Sequence, residues 1–427
     1  MPTPWKITRL TGCSPCGCLA VVSIATCPVG QTIRLRLFAG AIRLACRQQA
    51  GCRSALDNPP CGHSYGRCVR KRRPAAGTHN GRDIAMSLKR NRVGRSAVSV
   101  SELGLGGTSL GNLYTAVDDG AARRLITAAS EAGITFFDTA PCYGAGLSEQ
   151  RLGTVLPSLD RASFVLSTKV GYALIPLEEG EDNPSLFVDI PRCRTAYDFS
   201  YDGAMRSIEG SLRRLGLDRV DMVAIHDPDE TVGIDPAADP YARSHFSEAM
   251  NGAYRALDRL RADGTIGAVG VGMNQWRMLV DFVEAGDFDF VLVAGRYTLL
   301  QHDAAPELMD ACLRRGVGIV AGGPYSSGIL ASGAVDGAYF NYAPASAAML
   351  DHVRRIEGLC ARFGISLPAA ALRFALRHPA VVSVIPGARS IEELDGNLAA
   401  VAETVPDDFW TALVEEGLLP EVALGPI

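Results

Sequence analysis

The sequence predicts an α/β fold, a (β/α)8 barrel preceded by a non-globular N-terminal extension. Three observations point there. Composition changes abruptly along the 427-residue chain: residues 1–85 hold thirteen Lys and Arg against only Asp57 and Asp83, and eight of the twelve cysteines, whereas the remainder is acidic. Eight short, near-continuously apolar runs then follow, the pattern of strands buried on both faces. Amphipathic stretches of helical period separate them. Such alternation over about 340 residues predicts a closed parallel barrel, with a doubly wound open sheet as the alternative.

The first 85 residues are rich in Arg, Cys, Pro and Gly and show no sustained period of 2 or 3.6. Cys13, Cys16 and Cys18 lack the second ligand pair that zinc requires, so no metal is expected. Lys6 and Arg9 precede an apolar stretch with the outline of a signal peptide, but no small-residue cleavage site follows. The basic run Arg70, Lys71, Arg72 and Arg73 reads as a solvated patch rather than a nucleic-acid contact. We therefore expect a non-globular extension, or an over-long gene start, over 1–85 and a folded domain over 86–427. The 47% hydrophobic and 21% charged content excludes a wholly disordered chain, a collagen or a coiled coil. No apolar run reaches the roughly 18–20 residues of a membrane-spanning helix. Neither a membrane nor a nucleic acid is an expected partner, and the sequence leaves the oligomeric state open.

Within the domain the runs are Leu103–Thr108, Ile134–Ala140, Phe164–Gly171, Asp221–Asp227, Ala268–Asn274, Phe290–Tyr297, Gly316–Gly323 and Val381–Ala388. Helices are predicted over Asp202–Leu215, Ser247–Arg261, Ala304–Arg315, Ser346–Phe363 and Ser390–Val401; in the first, Met205, Ile208, Leu212 and Leu215 form one apolar stripe. Two connections, Tyr172–Tyr201 and Ser326–Pro344, exceed the usual loop length. Both follow the C-terminal end of a strand, the face on which barrel enzymes build their sites. Gly104, Gly106 and Gly107 do not make a dinucleotide fingerprint, because the third spaced glycine and the later acidic residue are missing. They are read instead as letting the backbone approach another group closely.

Three successive runs end in an ionisable residue: Asp138, Lys169 and His226, with Tyr143 five residues after Asp138. Lysine is seldom buried without a partner, so this is a cluster with chemistry rather than a set of unrelated caps. An ammonium beside a phenol stabilises tyrosinate and lowers its pKa. A carboxylate holds the ammonium, and a histidine orients a substrate oxygen. The result is a proton donor and acceptor at an alcohol or carbonyl carbon, suited to hydride transfer.

The pattern Phe137-Asp138-Thr139-Ala140-x-x-Tyr143-Gly144, then Ser167-Thr168-Lys169, then Ile225-His226, resembles the aldo-keto reductase superfamily across nearly all of residues 86–427. The resemblance implies a catalytic tetrad of Tyr143 as general acid/base, Lys169 lowering its pKa, Asp138 paired to Lys169, and His226 orienting the substrate. Further stretches, His226-Asp227-Pro228-Asp229, Tyr197–Gly203, Gly270–Trp276 and Ala294–Leu300, look like the subgroup of D-threo-aldose 1-dehydrogenases, L-fucose and galactose dehydrogenases and pyridoxal 4-dehydrogenase. That implies oxidation of a cyclic hemiacetal, or a similar alcohol, to a lactone, with a sugar or pyridoxal-like small molecule as substrate. It also implies a cytoplasmic enzyme of carbohydrate metabolism using NAD or NADP.

For the cofactor the resemblance implies Gly107, Thr108, Asn274, Gly387, Arg389, Ser390 and Asn397. Asn274 matches a nicotinamide-carboxamide ligand, although it could equally cap the helix that begins at Gln275. Ser390 and Glu393 form a capping-box pattern at a helix start facing phosphate, and Asn397 matches an adenine contact. Where NADP-preferring members carry cations around the 2′-phosphate, this chain has Gly387 and Glu393, so NAD is the preferred cofactor expected. The aligned position of the nicotinamide-stacking aromatic is Gly322, with Tyr325 three residues on. Tyr114, Met273 and Trp276 are expected to wall the substrate. An NADPH-dependent aldehyde or ketone reductase and a cofactor-sensing regulatory subunit are the alternative readings.

The change of charge and cysteine use generates a prediction. A chain beginning at Met86 should fold and turn over like the full chain. Loss of soluble expression or of specific activity on truncation would place the first segment inside the domain.

Overall fold

The computed structural model describes residues 6–13, 19–26, 88–182, 185–230, 239 and 241–425. The chain divides into two units, Met1–His79 and Asn80–Ile427. In the first, β1 (Lys6–Cys13) and β2 (Leu19–Thr26) pair antiparallel, a pairing the period analysis does not anticipate. The basic run 70–73, most of the N-terminal cysteines and the expected boundary at Met86 lie outside the described residues.

The second unit opens with an antiparallel hairpin, β3 (Arg90–Arg92) and β4 (Ser99–Ser101). There follow β5 (Leu105–Gly106), α1 (Asp119–Glu131), β6 (Phe136–Asp138), α2 (Leu147–Gly153), β7 (Val165–Val170), β8 (Tyr172–Pro176), β9 (Cys193–Tyr197), α3 (Tyr201–Leu215), β10 (Met222–His226), α4 (Phe246–Asn251), α5 (Ala253–Ala262), β11 (Ala268–Met273) and α6 (Trp276–Ala285). The chain continues through β12 (Phe290–Ala294), α7 (Glu307–Arg315), β13 (Gly318–Gly322), α8 (Ile329–Ser332), β14 (Tyr339–Phe340), β15 (Ala343–Pro344), α9 (Ala347–Phe363), α10 (Leu367–Arg377), β16 (Val381–Ile385), α11 (Ile391–Ala402) and α12 (Asp407–Glu415). Among the described residues no single helix is long and apolar enough to cross a membrane.

All eight apolar runs are strands of one parallel sheet, in the order β5, β6, β7, β10, β11, β12, β13, β16. The sheet closes. Gly104 N–H donates to Val384 O (2.9 Å), Gly106 N–H to Pro386 O (3.0 Å) and Val384 N–H to Glu102 O (2.9 Å). Closure removes the open-sheet alternative.

Strand parity sorts the side chains into two cores. Phe136, Val165, Met222, Ala268 and Phe290 point into the barrel. Their sequence neighbours Phe137, Leu166, Val223, Val269 and Val291 point outward, into the layer beneath the helices. Gly270 carries no side chain where the Phe290 ring lies, so one large residue fits across the narrow interior. Val93 and Val100 of the β3–β4 hairpin join the interior cluster, and Gly94 sits against Asp289 and Gly316, just ahead of β12 and β13. The hairpin therefore plugs the N-terminal end of the barrel and leaves the opposite end for chemistry.

The helices start where the sequence places capping side chains. Asp118 accepts from Ala121 N–H at α1 (3.0 Å), Ser200 from Gly203 N–H at α3 (3.0 Å) and Ser346 from Met349 N–H at α9 (3.2 Å). Gly216 ends α3 with φ of 64°, a left-handed stop. The helix predicted over Ser247–Arg261 is two helices, because Ala253 N–H donates to Phe199 O (2.8 Å) across the break at Gly252.

Both long connections are built excursions on the site face. In the first, β8 and β9 pair as an antiparallel arm. Its tip is tied to the loop after β5: Tyr114 N–H donates to Leu186 O (2.9 Å), and Val188 N–H to Asn112 O (3.0 Å). That loop is held from below by Arg151 of α2, 6% exposed. Its guanidinium donates to Leu110 O (2.8 Å), Asn112 Oδ1 (2.7 Å), Val117 O (2.5 Å) and Asp119 Oδ1 (2.9 Å). Removing it leaves several buried acceptors without donors, at about 1–3 kcal/mol each before relaxation. Arg151→Met should therefore cost about 3 kcal/mol of stability, read as a lower denaturation midpoint. An unchanged midpoint would show that the loop is held by other contacts.

Candidate active site

Parity also decides which polar residues meet. Asp138 and Lys169 lie two and four residues beyond inward-facing Phe136 and Val165, and His226 lies two beyond Ala224, so all three point into the upper barrel. Asn274 follows outward-facing Met273 and so returns to the interior. Tyr143 reaches the same mouth from the loop after β6.

Lys169 and Asp138 are 1% and 2% exposed, and Lys169 Nζ donates to Asp138 Oδ2 (2.7 Å) and to Thr139 O (2.8 Å). The same Nζ stands 4.6 Å from the Tyr143 ring centroid. The Tyr143 and His226 rings meet edge to face at 5.7 Å. Thus all four residues of the expected tetrad share one mouth.

The electrostatics differ from expectation in one respect. Burial pushes the Tyr143 phenol above its ordinary pKa; Lys169 opposes that shift without reversing it, and Asp138 adds to it. The phenol is therefore a proton donor at neutral pH, and the lowering expected from Lys169 is only partial. Burial disfavours the Lys169 ammonium, but Asp138 and Tyr143 more than compensate and raise its pKa. Burial and Lys169 together hold His226 well below the usual imidazole range, so the ring is neutral. Cys142 Sγ lies 3.4 Å from His226 Nδ1, and burial raises this thiol, which stays protonated. A thiol donating to Nδ1 leaves the ring proton on Nε2, the nitrogen needed to donate to a substrate oxygen.

Several residues here escape the sequence reading. Cys142 is one. Tyr172, at the start of β8, packs its ring 5.4 Å from that of His226, and Phe187 from the arm stacks on Tyr143 at 6.3 Å. Asp227 brings Oδ2 to 3.6 Å from His226 Nε2. The length of the Tyr172–Tyr201 gap signals the arm but not which residues face inward.

On the cofactor side, Gly106 of β5 bridges to Gly387, and Gly107 N–H donates to Asp138 O (2.7 Å), so Gly107, Thr108 and Gly387 share one rim. Asn274 does not cap the following helix; Gln275 does, accepting from Arg277 N–H (3.3 Å). Asn274 Nδ2 instead donates to Ala294 O (2.8 Å) and lies 3.5 Å from the Tyr342 hydroxyl. Ser390 caps α11 by accepting from Glu393 N–H (3.3 Å). The capping box is incomplete, because the Glu393 carboxylate turns to Arg389, accepting from its backbone N–H (2.8 Å) and from Nη2 (2.8 Å). Asn397 is buried, with Oδ1 accepting from the Tyr325 hydroxyl (2.8 Å) and Nδ2 donating to Gly387 O (3.4 Å). It braces the rim from inside. Tyr325 is thereby tied to α11, and Gly322 leaves the strand end open.

Of the three expected wall residues, Tyr114 is at the rim, 41% exposed, with its ring 6.0 Å from that of Tyr339. Met273 and Trp276 are 2% and 8% exposed and pack in the outer layer between strands and helices. Met273 has the wrong parity to face the pocket, and Trp276, at the first position of α6, turns away from it.

Do these residues fit a nicotinamide dinucleotide? Asp138 Oδ1 is buried without a hydrogen-bond partner among the described residues. Asn274, just after β11, carries a second side-chain acceptor, Oδ1, at the same end of the barrel. The first N–H groups of α11 point out of a capped helix start. Two acceptors for hydroxyl or amide donors and one anion-binding terminus match the donor and acceptor pattern of such a group.

Comparison with known proteins agrees. The profile of the aldo/keto reductase family matches residues 102–416. Pyridoxal 4-dehydrogenase of Microbacterium luteolum is 36% identical over 346 residues, covering 78% of this chain and 98% of that protein. D-threo-aldose 1-dehydrogenase of a Pseudomonas species is 36% identical over 341 residues, covering 78% and 99%. The solved structure of an aldo-keto reductase from Bacillus halodurans shares the fold, with a TM-score of 0.60 at 24% identity over 77% of this chain and 96% of that one. With a closed barrel, four polar residues at one mouth and this match, the chain belongs to the aldo/keto reductase family, as an NAD(P)-dependent oxidoreductase acting on CH–OH groups.

Proposed function

We propose that the chain oxidises the C1 hemiacetal carbon of an aldose, of the L-fucose or D-threo-aldose type, or the equivalent carbon of pyridoxal, to a lactone. The convergence of Tyr143, neutral His226 and the buried Lys169–Asp138 pair at one mouth carries this reading. The names of two 36%-identical relatives support the substrate class. Asn274, Gly107, Thr108, Gly387, Ser390 and Arg389 would hold the cofactor. When bound, it supplies the hydride acceptor.

The chain's own residues handle the proton and the geometry. His226 Nε2–H donates to the substrate oxygen and fixes its direction. Tyr143 Oη takes the proton of the C1 hydroxyl as hydride leaves the carbon. Lys169 makes tyrosinate accessible, and Asp138 keeps the ammonium charged and in place. Phe187 over Tyr143 limits water at the proton-transfer site. Run in reverse, the same phenol protonates a carbonyl oxygen. Its raised pKa favours that direction at neutral pH and supports aldehyde or ketone reduction as a second reading.

Tyr143→Phe should keep NADH binding, read by fluorescence quenching, and lose at least about 100-fold in kcat. Because the Tyr143 pKa is raised, the unmodified enzyme should oxidise faster as pH climbs into the alkaline range. Lys169→Met removes the one charge that lowers this pKa, so its oxidation profile should move to still higher pH. A Tyr143→Phe enzyme with unmodified kcat would remove the phenol from the mechanism; an unmoved pH profile in Lys169→Met would remove the tuning.

Cofactor choice should favour NAD+. Arg389, the cation nearest a 2′-phosphate by resemblance, is already bonded to Glu393. Lacking a free cation there, NADP+ forgoes charge-assisted bonds and should be at least about tenfold poorer in kcat/KM, a difference of only ~1.4 kcal/mol. The test is NADH formation with a panel of L-fucose, D-arabinose and pyridoxal, repeated with NADP+. Turnover of simple aldehydes with NADPH alone would select the reductase reading.

A further inference from the structure

Asp227 sits where strand parity should turn it away from the pocket. It follows inward-facing His226 on β10, so an extended backbone would send its side chain outward. The backbone instead takes φ of 45°, left-handed for a residue with a Cβ. Its N–H is secured to Gly272 O (3.0 Å). The turn brings Oδ2 back to 3.6 Å from His226 Nε2, on the ring edge opposite Cys142. Strained backbone of this kind persists where the surroundings hold it, and it concentrates at functional sites.

Among the described residues, no Lys or Arg is in contact with the carboxylate. Lys169 is committed to Asp138 and Thr139. Burial, with Asp229 adding to it and Lys169 opposing, pushes its pKa up to about 8, so the side chain is ionised in the alkaline range where oxidation is expected to be fastest. Cys142, Tyr172 and Tyr342 feel its charge. The side chain is 17% exposed, and no hydrogen bond to it is present among the described residues. A polar group turned back toward a catalytic histidine and left without a donor among the described residues is matched by a ligand that brings one.

We infer that Asp227 is a substrate-binding carboxylate that accepts a hydrogen bond from a hydroxyl on the carbon next to the reacting one, and so selects vicinal hydroxy-carbonyl or hydroxy-hemiacetal substrates over plain aldehydes. This rests on the proposed oxidoreductase chemistry at Tyr143 and His226 and names its substrate class. The reacting oxygen goes to the side of Tyr143, His226 and Lys169. The neighbouring hydroxyl goes to Asp227, which repels a developing oxyanion and attracts a donor.

The test uses matched substrates with the full chain above pH 8, where Asp227 is ionised. Lactaldehyde and propanal have the same carbon count and differ only at the adjacent hydroxyl; L-fucose and 2-deoxy-L-fucose are the pair for oxidation. The unmodified enzyme should prefer the hydroxylated partner in each pair. Asp227→Asn should reduce the ratio of kcat/KM values at least tenfold, with most of the change in KM for the hydroxylated substrate. Asp227→Ser, smaller and uncharged, should do the same, and melting temperature with NADH quenching shows that each variant is folded. An unchanged ratio, an equal loss on both partners, or an unmodified enzyme indifferent to the hydroxyl would each overturn the inference. If the unmodified enzyme reduces the aldehydes but oxidises no sugar, the lactone-forming reading fails, while the aldehyde ratio still decides the role of Asp227.

Discussion

The buried Lys169–Asp138 pair is the interaction on which the site depends. Taking two charges out of water costs several kcal/mol per ion, and an apolar pair of similar volume would often hold a barrel as well or better. The pair survives here because its geometry is complete on the ammonium side. Nζ has Asp138 Oδ2 and Thr139 O at 2.7 and 2.8 Å and the Tyr143 ring at 4.6 Å. Once that charge is fixed inside the barrel mouth, much else follows. Burial, with the ammonium disfavouring a second cation beside it, keeps His226 neutral, and the ammonium opposes the burial that raises Tyr143. The opposite end of the barrel shows what the fold does without such a demand: there, Val93 and Val100 plug it with apolar side chains.

Much of this was legible in the sequence. Strands buried on both faces leave continuous apolar runs, so all eight could be read without knowing their partners. Polar residues are rare in such runs, which made Asp138, Lys169 and His226 conspicuous at their ends. Parity, once the strand boundaries are known, explains both success and failure. Asn274 faces the pocket and Met273 does not because they are adjacent on β11. Trp276 reads as a site aromatic because it follows the strand closely, yet the first turn of α6 buries it in the outer layer. The helices α1, α2, α10 and α12 have no individual reading in the sequence. The break between α4 and α5 escaped too, because it comes from a tertiary hydrogen bond to Phe199 O that local periodicity does not record.

The loops were the least legible part, for a physical reason. Strands fix the tetrad's inward direction, but the walls of the pocket come from excursions whose folding is set by contacts between them. The β8–β9 arm carries Phe187 to Tyr143 only because its tip hydrogen-bonds to the loop around Asn112 and Tyr114. That loop in turn hangs on Arg151, a residue of α2. Tyr114 then meets Tyr339 of the β14–β15 excursion, so loops from the first and seventh barrel strands touch at the mouth. A chain of such contacts has no period and no motif. Its members are Tyr, Phe, Asn and Arg residues that look like ordinary surface residues in sequence.

The arrangement around His226 divides the pocket by charge. The ammonium of Lys169 lies on the Tyr143 side, and the Asp227 carboxylate, ionised above about pH 8, lies by Nε2. During hydride transfer the substrate oxygen passes between a carbonyl and an alkoxide, so negative charge builds on it in one direction and disperses in the other. That oxygen is stabilised near Lys169, Tyr143 and the Nε2 proton, and destabilised near a carboxylate. A substrate with only one oxygen gains from the first group and pays the repulsion of the second if it shifts. A substrate with an adjacent hydroxyl satisfies both at once: its oxyanion takes the cationic side, and its donor takes the carboxylate. The polarity that orients the reacting oxygen therefore also prefers a second oxygen beside it. This gives a physical reason for a sugar-like substrate that does not depend on any relative's name.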